Sequence, residues 1–282
     1  MWYALDVTFE TSAREAVEYA LMEAGALGTE TFEERGGLAR AVAYFAATPR
    51  REEVRAALLD ALRVYELESS AVREMELREV ADADWLAEWK KGWQPLEVGR
   101  RFIIAPPWSE VGESPERIVI RIEPGMAFGT GTHETTRLCL TAIEEHFAGG
   151  SFLDVGTGTG ILAIAAAKLF PDAAVEACDT DDSTITIAHQ NARLNGVAER
   201  INFRVGTIDE ATASAALVCA NLTADVILPM LPALRDASCG ILILSGILQT
   251  QTASIIARLH EMGVDRYEIR NDGEWSSVTV LM

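Results

Sequence analysis

Two acids and three glycines carry the strongest chemical signal in this 282-residue chain. They lie in Phe152-Leu153-Asp154-Val155-Gly156-Thr157-Gly158-Thr159-Gly160-Ile161-Leu162-Ala163 and, further on, at Asp179. The first segment runs from a short apolar stretch into a glycine-rich turn that opens a helix. Glycines serve where a backbone turns tightly and a ligand lies against it without interference from a Cβ. A dinucleotide turn of the G-x-G-x-x-G kind is one reading, and it leads to NAD. The spacing here is instead G-x-G-x-G, with Asp154 two positions before the first glycine. A diphosphate prefers a helix start free of carboxylates, whereas an acid at that point suits an ammonium or a sulfonium. Asp179 ends the next apolar run and can accept both hydroxyls of a ribose.

A ribonucleoside that carries a sulfonium is S-adenosylmethionine. Asp154, Gly156, Gly158 and Asp179 are therefore expected to line the cofactor pocket of a class I methyltransferase. Upstream, Glu123-Pro124-Gly125-Met126-Ala127-Phe128-Gly129-Thr130-Gly131-Thr132-His133-Glu134-Thr135-Thr136 precedes a helix expected to start near His133. Free amides and hydroxyls there can hold the cofactor's carboxylate. As structure alone, the same stretch is a loop with a threonine cap. Asn221 follows the apolar run Ala216–Ala220, where methyltransferases of planar nitrogens often carry Asn-Pro-Pro-Tyr. Leu222-Thr223 replaces the Pro-Pro-aromatic part that would clamp a flat base. An aliphatic amine needs something else: an apolar pocket to shed its proton and acceptors to orient its N–H bonds. Asn221 is the expected catalytic residue, with a strand-end turn as its plainer use. Of the histidines, only His133 lies near this chemistry, more as a helix cap than as a base. His146, His189 and His260 read as surface or helix-end residues.

Strands must deliver these residues. From Ile118 onward, apolar runs at 152–155, 174–178, 201–205, 216–220 and 240–244 alternate with helical segments at 160–169, 183–195 and 224–234. That alternation predicts βαβ units and a parallel sheet covered on both faces. Residues 275–281 alternate as a further strand. The first 80 residues read β-α-β-β-α-β: strands at 2–9, 27–33, 38–46 and 70–80, helices at 13–24 and 52–62, with Ser12 as the first helix cap. The expected fold is α/β, a Rossmann-like S-adenosylmethionine-dependent domain preceded by a small ferredoxin-like α+β domain. Between them, residues 81–108 hold Trp85, Trp89, Trp93 and Trp108, together with Lys90 and Lys91. The i, i+4, i+8 spacing of the first three tryptophans predicts one helix face in a linker. The division is then 1–80, 81–108 and 109–282.

The segment PGMAFGTGTHETT resembles the loop before the catalytic core in the PrmA family, which methylates protein eleven of the large ribosomal subunit. LDVGTGTGILAIAA, Cys219-Ala220-Asn221-Leu222, Leu244-Ser245-Gly246-Ile247-Leu248 and Gly273-Glu274-Trp275 resemble later motifs of that family in the same order. The likeness runs from about residue 85 to the end, and the small leading domain fits as well. By position, the resemblance implies cofactor contacts at Thr136, Gly156, Asp179 and Asn221. It also implies methylation of lysine and/or N-terminal amines, with residues 1–80 recognising the substrate. The usual continuation after the asparagine is replaced by Leu222-Thr223-Ala224. Gly206-Thr207-Ile208 lacks the acid many class I enzymes offer adenine, so that contact is unassigned.

Composition narrows the partners. Acids outnumber bases 43 to 24, a net charge of −19. Such a surface repels phosphate backbones and anionic lipid, so neither nucleic acid nor membrane is expected as a partner. It fits a lysine-rich protein, or serves solubility alone. The longest apolar stretch, 161–170, contains Lys168 and is too short to span a membrane. No secretory pattern opens the chain, and Cys139, Cys178, Cys219 and Cys239 show no CxxC pair. Buried thiols in a cytoplasmic protein without a metal site are expected. The competing functions are a lysine methyltransferase for another protein, a nicotinamide oxidoreductase and a non-catalytic cofactor-binding module.

Overall fold

Alternating apolar positions in the first 80 residues close a small sheet against two helices. The computed structural model describes residues 2–34, 36–80, 93–112, 116–124, 129, 131–209 and 212–282. It divides into two compact units, Met1–Trp93 with Pro124–Met126 and Gln94–Glu123 with Ala127–Met282.

The first unit runs β1 (Trp2–Glu10), α1 (Arg14–Glu23), β2 (Gly28–Glu33), β3 (Leu38–Phe45), α2 (Arg51–Val64) and β4 (Val72–Val80). The sheet order is β2-β3-β1-β4, antiparallel throughout. This is the expected β-α-β-β-α-β arrangement. Leu5, Val7 and Phe9 of β1 join Ala39, Ala41, Ala43 and Phe45 of β3 in one core with Val17 and Leu21 of α1 and Val54, Leu58 and Leu62 of α2. On the opposite sheet face, Asp6 accepts from Arg40 at 2.6 Å and Arg78 at 2.8 Å, tying β1 to both neighbours. One expectation fails here. Ser12 lies inside a 3-10 turn, Thr11–Ala13, and α1 begins at Arg14 without a side-chain cap.

The second unit opens with a three-stranded sheet, β5 (Leu96–Val98), β6 (Phe102–Ala105) and β7 (Ile118–Arg121). The linker expected to reach residue 108 therefore ends earlier, because Val98, Phe102 and Ile104 are core residues. Strands of three and four residues, separated by Arg100 and Arg101, leave too little periodicity to read. Trp85, Trp89, Lys90 and Lys91 lie outside the described residues. The chain continues through α3 (Glu134–His146), β8 (Ser151–Val155), α4 (Ile161–Leu169), β9 (Ala174–Asp179), α5 (Asp182–Leu194) and β10 (Ile201–Val205). It ends with β11 (Ala215–Asn221), α6 (Ala224–Asp236), β12 (Ser238–Leu248), α7 (Thr252–Glu261), β13 (Tyr267–Asp272) and β14 (Trp275–Leu281).

These strands form one seven-stranded sheet in the order β10-β9-β8-β11-β12-β14-β13. The expected parallel pairing holds from β10 to β12, and β14 runs antiparallel to both its neighbours. The short Gly273-Glu274 turn joins β13 to β14, and so short a connection permits only an antiparallel pair. Residues of β8 alternate between the two face cores, Phe152 in one and Leu153 in the other. Cys139, Cys178 and Cys219 are buried, but Cys239 is exposed, since alternation at the start of β12 turns Ser238 inward. Among the described residues no helix is long and apolar enough to cross a membrane.

Candidate active site

Strand order reverses between β8 and β11: the chain proceeds outward to β9 and β10 on one side and to β12 on the other. In open α/β sheets the crevice at such a switch point, beyond the C-terminal strand ends, is where ligands bind. Five of the expected site residues, Asp154, Gly156, Gly158, Asp179 and Asn221, lie at these strand ends. Asp154, the penultimate residue of β8, is fully buried. Its Oδ2 accepts from Thr157 Oγ1 at 2.7 Å and from the Ala163 N–H, in the first turn of α4, at 3.2 Å. Its Oδ1 is buried with no protein partner. Burial pushes the Asp154 carboxyl up to about 7; the Thr157 and Ala163 donors oppose that rise, and the charge of Asp179 adds to it. An orphaned carboxylate oxygen in such a place asks for a donor or a cation from a ligand.

The turn after β8 is pinned to β9. Gly156 and Thr157 donate their N–H groups to the Cys178 carbonyl at 2.9 and 3.0 Å. Gly158 N–H donates to Asp179 Oδ2 at 3.1 Å, and Asp181 N–H to Asp179 Oδ1 at 3.2 Å. Both carboxylate oxygens of Asp179 keep acceptor capacity after these bonds. Gly156 has φ +73°, and a Cβ there would collide with the Leu222 side chain. Gly160 caps α4 at φ +82°, and a Cβ would lie 3.1–3.3 Å from Ala188 of α5. The glycines thus close the turn under Leu222 and let α4 meet α5.

Asn221 ends β11, level with Ser245 on β12, and its neighbour Ala220 is level with Val155 on β8. The Asn221 Oδ1 is also buried without a partner. Thr136, in the first turn of α3, is buried with its Oγ1 likewise unbonded. His133 caps that helix: Nδ1 accepts from the Thr135 N–H at 3.3 Å, and the ring meets Trp275 edge-on at 5.2 Å. His146 and His260 sit beside Glu268 and Tyr267, away from the switch point, and His189 packs near Phe203.

Gly125, Met126, Ala127, Phe128 and Thr130 of the preceding loop lie outside the described residues. Its two ends are fastened by groups that sequence reasoning missed. Thr159 Oγ1 donates to the Gly129 carbonyl at 2.6 Å, while Asn191 accepts the Glu123 N–H and donates to the Thr159 carbonyl. Thr157, Leu222 and Ser245 were also missed. Thr157 and Thr159 sit inside the G-T-G-T-G run, and Ser245 inside the Leu244–Leu248 stretch, signals available from the sequence; Asn191 carries none.

A mixed seven-stranded sheet of this order, with an acid at the end of each of two adjacent strands and a glycine turn between them, defines a class I methyltransferase fold. Comparison with known proteins agrees. A family model described as Ribosomal protein L11 methyltransferase (PrmA) matches residues 1–281. The chain is 32% identical to the Ribosomal protein L11 methyltransferase of Thermoanaerobacter pseudethanolicus, over 98% of each chain. It is 44% identical to the one from Desulfitobacterium hafniense, over 70% of this chain and 64% of that protein. Among solved structures, a ribosomal protein L11 methylase from Lactobacillus delbrueckii subsp. bulgaricus superposes with a TM-score of 0.62 at 31% identity, covering 67% of this chain and 98% of that one. The chain belongs to the ribosomal protein L11 methyltransferase (PrmA) family. It is an S-adenosylmethionine-dependent protein methyltransferase, and the orphaned atoms of Asp154, Thr136 and Asn221 fit such a ligand.

Proposed function

We propose that the chain methylates lysine and/or N-terminal amines of ribosomal protein L11, using the switch-point crevice as its active site. The observation that carries this reading is that three of the five buried polar side-chain atoms without hydrogen-bond partners among the described residues are Asp154 Oδ1, Thr136 Oγ1 and Asn221 Oδ1. They belong to β8, α3 and β11, elements that hydrogen bonds and strand register hold together. Asp179 holds the ribose, Asp154 faces the cationic end of the cofactor, and the Thr136 hydroxyl, unbonded at the start of α3, donates to the carboxylate. Gly156 and Gly158 keep the turn low enough for the cofactor to lie on it. S-adenosylmethionine supplies, when bound, an electrophilic methyl group.

The remaining task falls to the protein. At a reference pKa near 10.4, about one lysine in several thousand is neutral at pH 7. Asn221 Oδ1 accepts an N–H of the amine and orients it. Leu222, in place of the prolines that would flank a flat base, lines the approach with an apolar surface that favours the uncharged amine. A chain of net charge −19 attracts a lysine-rich protein and needs no nucleic acid or membrane contact, consistent with work in the cytoplasm. The first unit selects the substrate and the segment up to residue 93 connects it to the catalytic unit.

The test is to incubate the protein with methyl-labelled S-adenosylmethionine and purified ribosomal proteins. Label in the L11 band supports the reading. Label confined to another protein overturns the substrate, and binding without transfer to any protein overturns the enzymatic role.

A further inference from the structure

Pairing between β12 and β14 slips beside the site. Leu244 stands opposite Val278 and Ile247 opposite Ser276, so Ser245 and Gly246 together face a single residue, Ser277. Such a bulge re-aims a side chain next to an active site. On the other edge of β12, the register with β11 is unbroken there and sets Ser245 level with Asn221. The Ser245 carbonyl accepts the Leu222 N–H at 3.0 Å. Gly246, at φ +84°, cannot carry a Cβ without striking the Leu222 backbone. The fully buried Ser245 hydroxyl donates to the Thr135 carbonyl at 3.2 Å, joining β12 to the first turn of α3. Thr136, with its orphaned Oγ1, is the next residue.

One serine therefore touches both arms of the site: through its backbone the Asn221–Leu222 strand end, through its hydroxyl the start of α3. We infer that Ser245 is a positioning residue for methyl transfer, holding α3 against β11 so that Thr136 and Asn221 address the same ligand. This rests on the methyltransferase reading above. A serine that served packing alone would be replaceable by alanine without effect on ligand affinity, because the hydroxyl contacts only a helix carbonyl. A serine that places Thr136 would not.

The experiment titrates the full-length protein with S-adenosylhomocysteine by calorimetry. It compares the natural chain with Ser245→Ala, Ser245→Cys, Thr136→Val and the Ser245→Ala/Thr136→Val double variant, each with its Tm. Loss of the hydroxyl is expected to weaken binding about five- to tenfold while Tm stays within about 4 °C. The cysteine variant, keeping a weak donor of similar volume, is expected to lose less. In the Thr136→Val background, Ser245→Ala should cost less than about twofold, since the two act through one contact. Unchanged affinity in Ser245→Ala, or losses that multiply in the double variant, overturns the inference. Should the alanine variant fail to fold, Ser245→Cys alone and combined with Thr136→Val carries the same comparison. A natural chain that binds no S-adenosylhomocysteine overturns the methyltransferase reading and this inference together, whereas normal binding with indifferent variants overturns this inference alone.

Discussion

Asp154 is buried without a cationic partner, and its carboxyl rises to about 7 against 3.8 for an unperturbed aspartate. A group whose pKa is raised on folding stabilises the native state fully below its unfolded value, and that contribution is lost as pH rises through the folded value. Between pH 5 and 8 the natural chain should lose roughly 2–3 kcal/mol of stability relative to Asp154→Asn, measured by urea unfolding at both pH values. An equal difference at the two pH values would mean that Asp154 does not titrate in this window. Asp179 is the counterpart with a different task. It is half-buried and already ordered by Gly158 and Asp181, so Asp179→Ala should leave the fold intact. Loss of two charge-assisted bonds to a ribose should weaken cofactor binding about ten- to a thousandfold. Asn221→Ala is expected to lower turnover per bound cofactor more than it lowers cofactor affinity, as an amine-orienting group acts mainly in the transition state. Equal turnover per bound cofactor would remove that role. The placement of Asp154, Gly156, Gly158 and Asp179 at two adjacent strand ends and in the turn between them was legible in the sequence, because each acid lies at the end of a largely apolar run and the glycines follow the first. The partners of Ser245 and Asn191 were not: the Leu244–Leu248 stretch stood out, but neither a serine hydroxyl nor an asparagine amide gives a hint of the carbonyl it will meet across 110 or 32 residues.

The elements that place these residues depend on close approaches only glycine allows. Gly160 begins α4 in the left-handed region and lies against the Ala188 backbone of α5. Gly160→Ala should therefore destabilise the chain by about 1–3 kcal/mol, seen as a Tm several degrees lower; an unchanged Tm would show that α4 and α5 can part without cost. The αβ alternation from β8 to β12 was readable because buried parallel strands are continuous apolar runs. Elements that escaped reading share a different character. β5 and β6 are too short for a period, and β13 (Tyr-Glu-Ile-Arg-Asn-Asp) is an edge strand with Glu268 between its two apolar residues and three polar residues after them. Ser12 failed as a cap because a 3-10 turn consumes it, whereas His133 does cap α3, through Nδ1.

At the scale of the molecule, the chain joins a unit with its own core to a catalytic unit that contains every proposed site residue. A surface lysine is a short flexible stem and offers a pocket little to discriminate, so selection of one protein among many must come from another surface. A shortened chain beginning at Asp82 is expected to bind S-adenosylmethionine normally and to show a much lower kcat/KM on intact ribosomal protein L11. Equal kcat/KM would release the first unit from substrate recognition. The two-unit division was visible in the change from β-α-β-β-α-β to repeated βα, but its boundary was not, because the first strands after it are three and four residues long. If the crevice between β8 and β11 transfers methyl groups to that protein, the mass of intact ribosomal protein L11 reports it directly. After incubation with S-adenosylmethionine and the natural chain, the mass should increase by whole methyl groups, and with Asp179→Ala at the same limiting cofactor concentration it should increase far more slowly. No increase with the natural chain, or an equal rate with the variant, would contradict it.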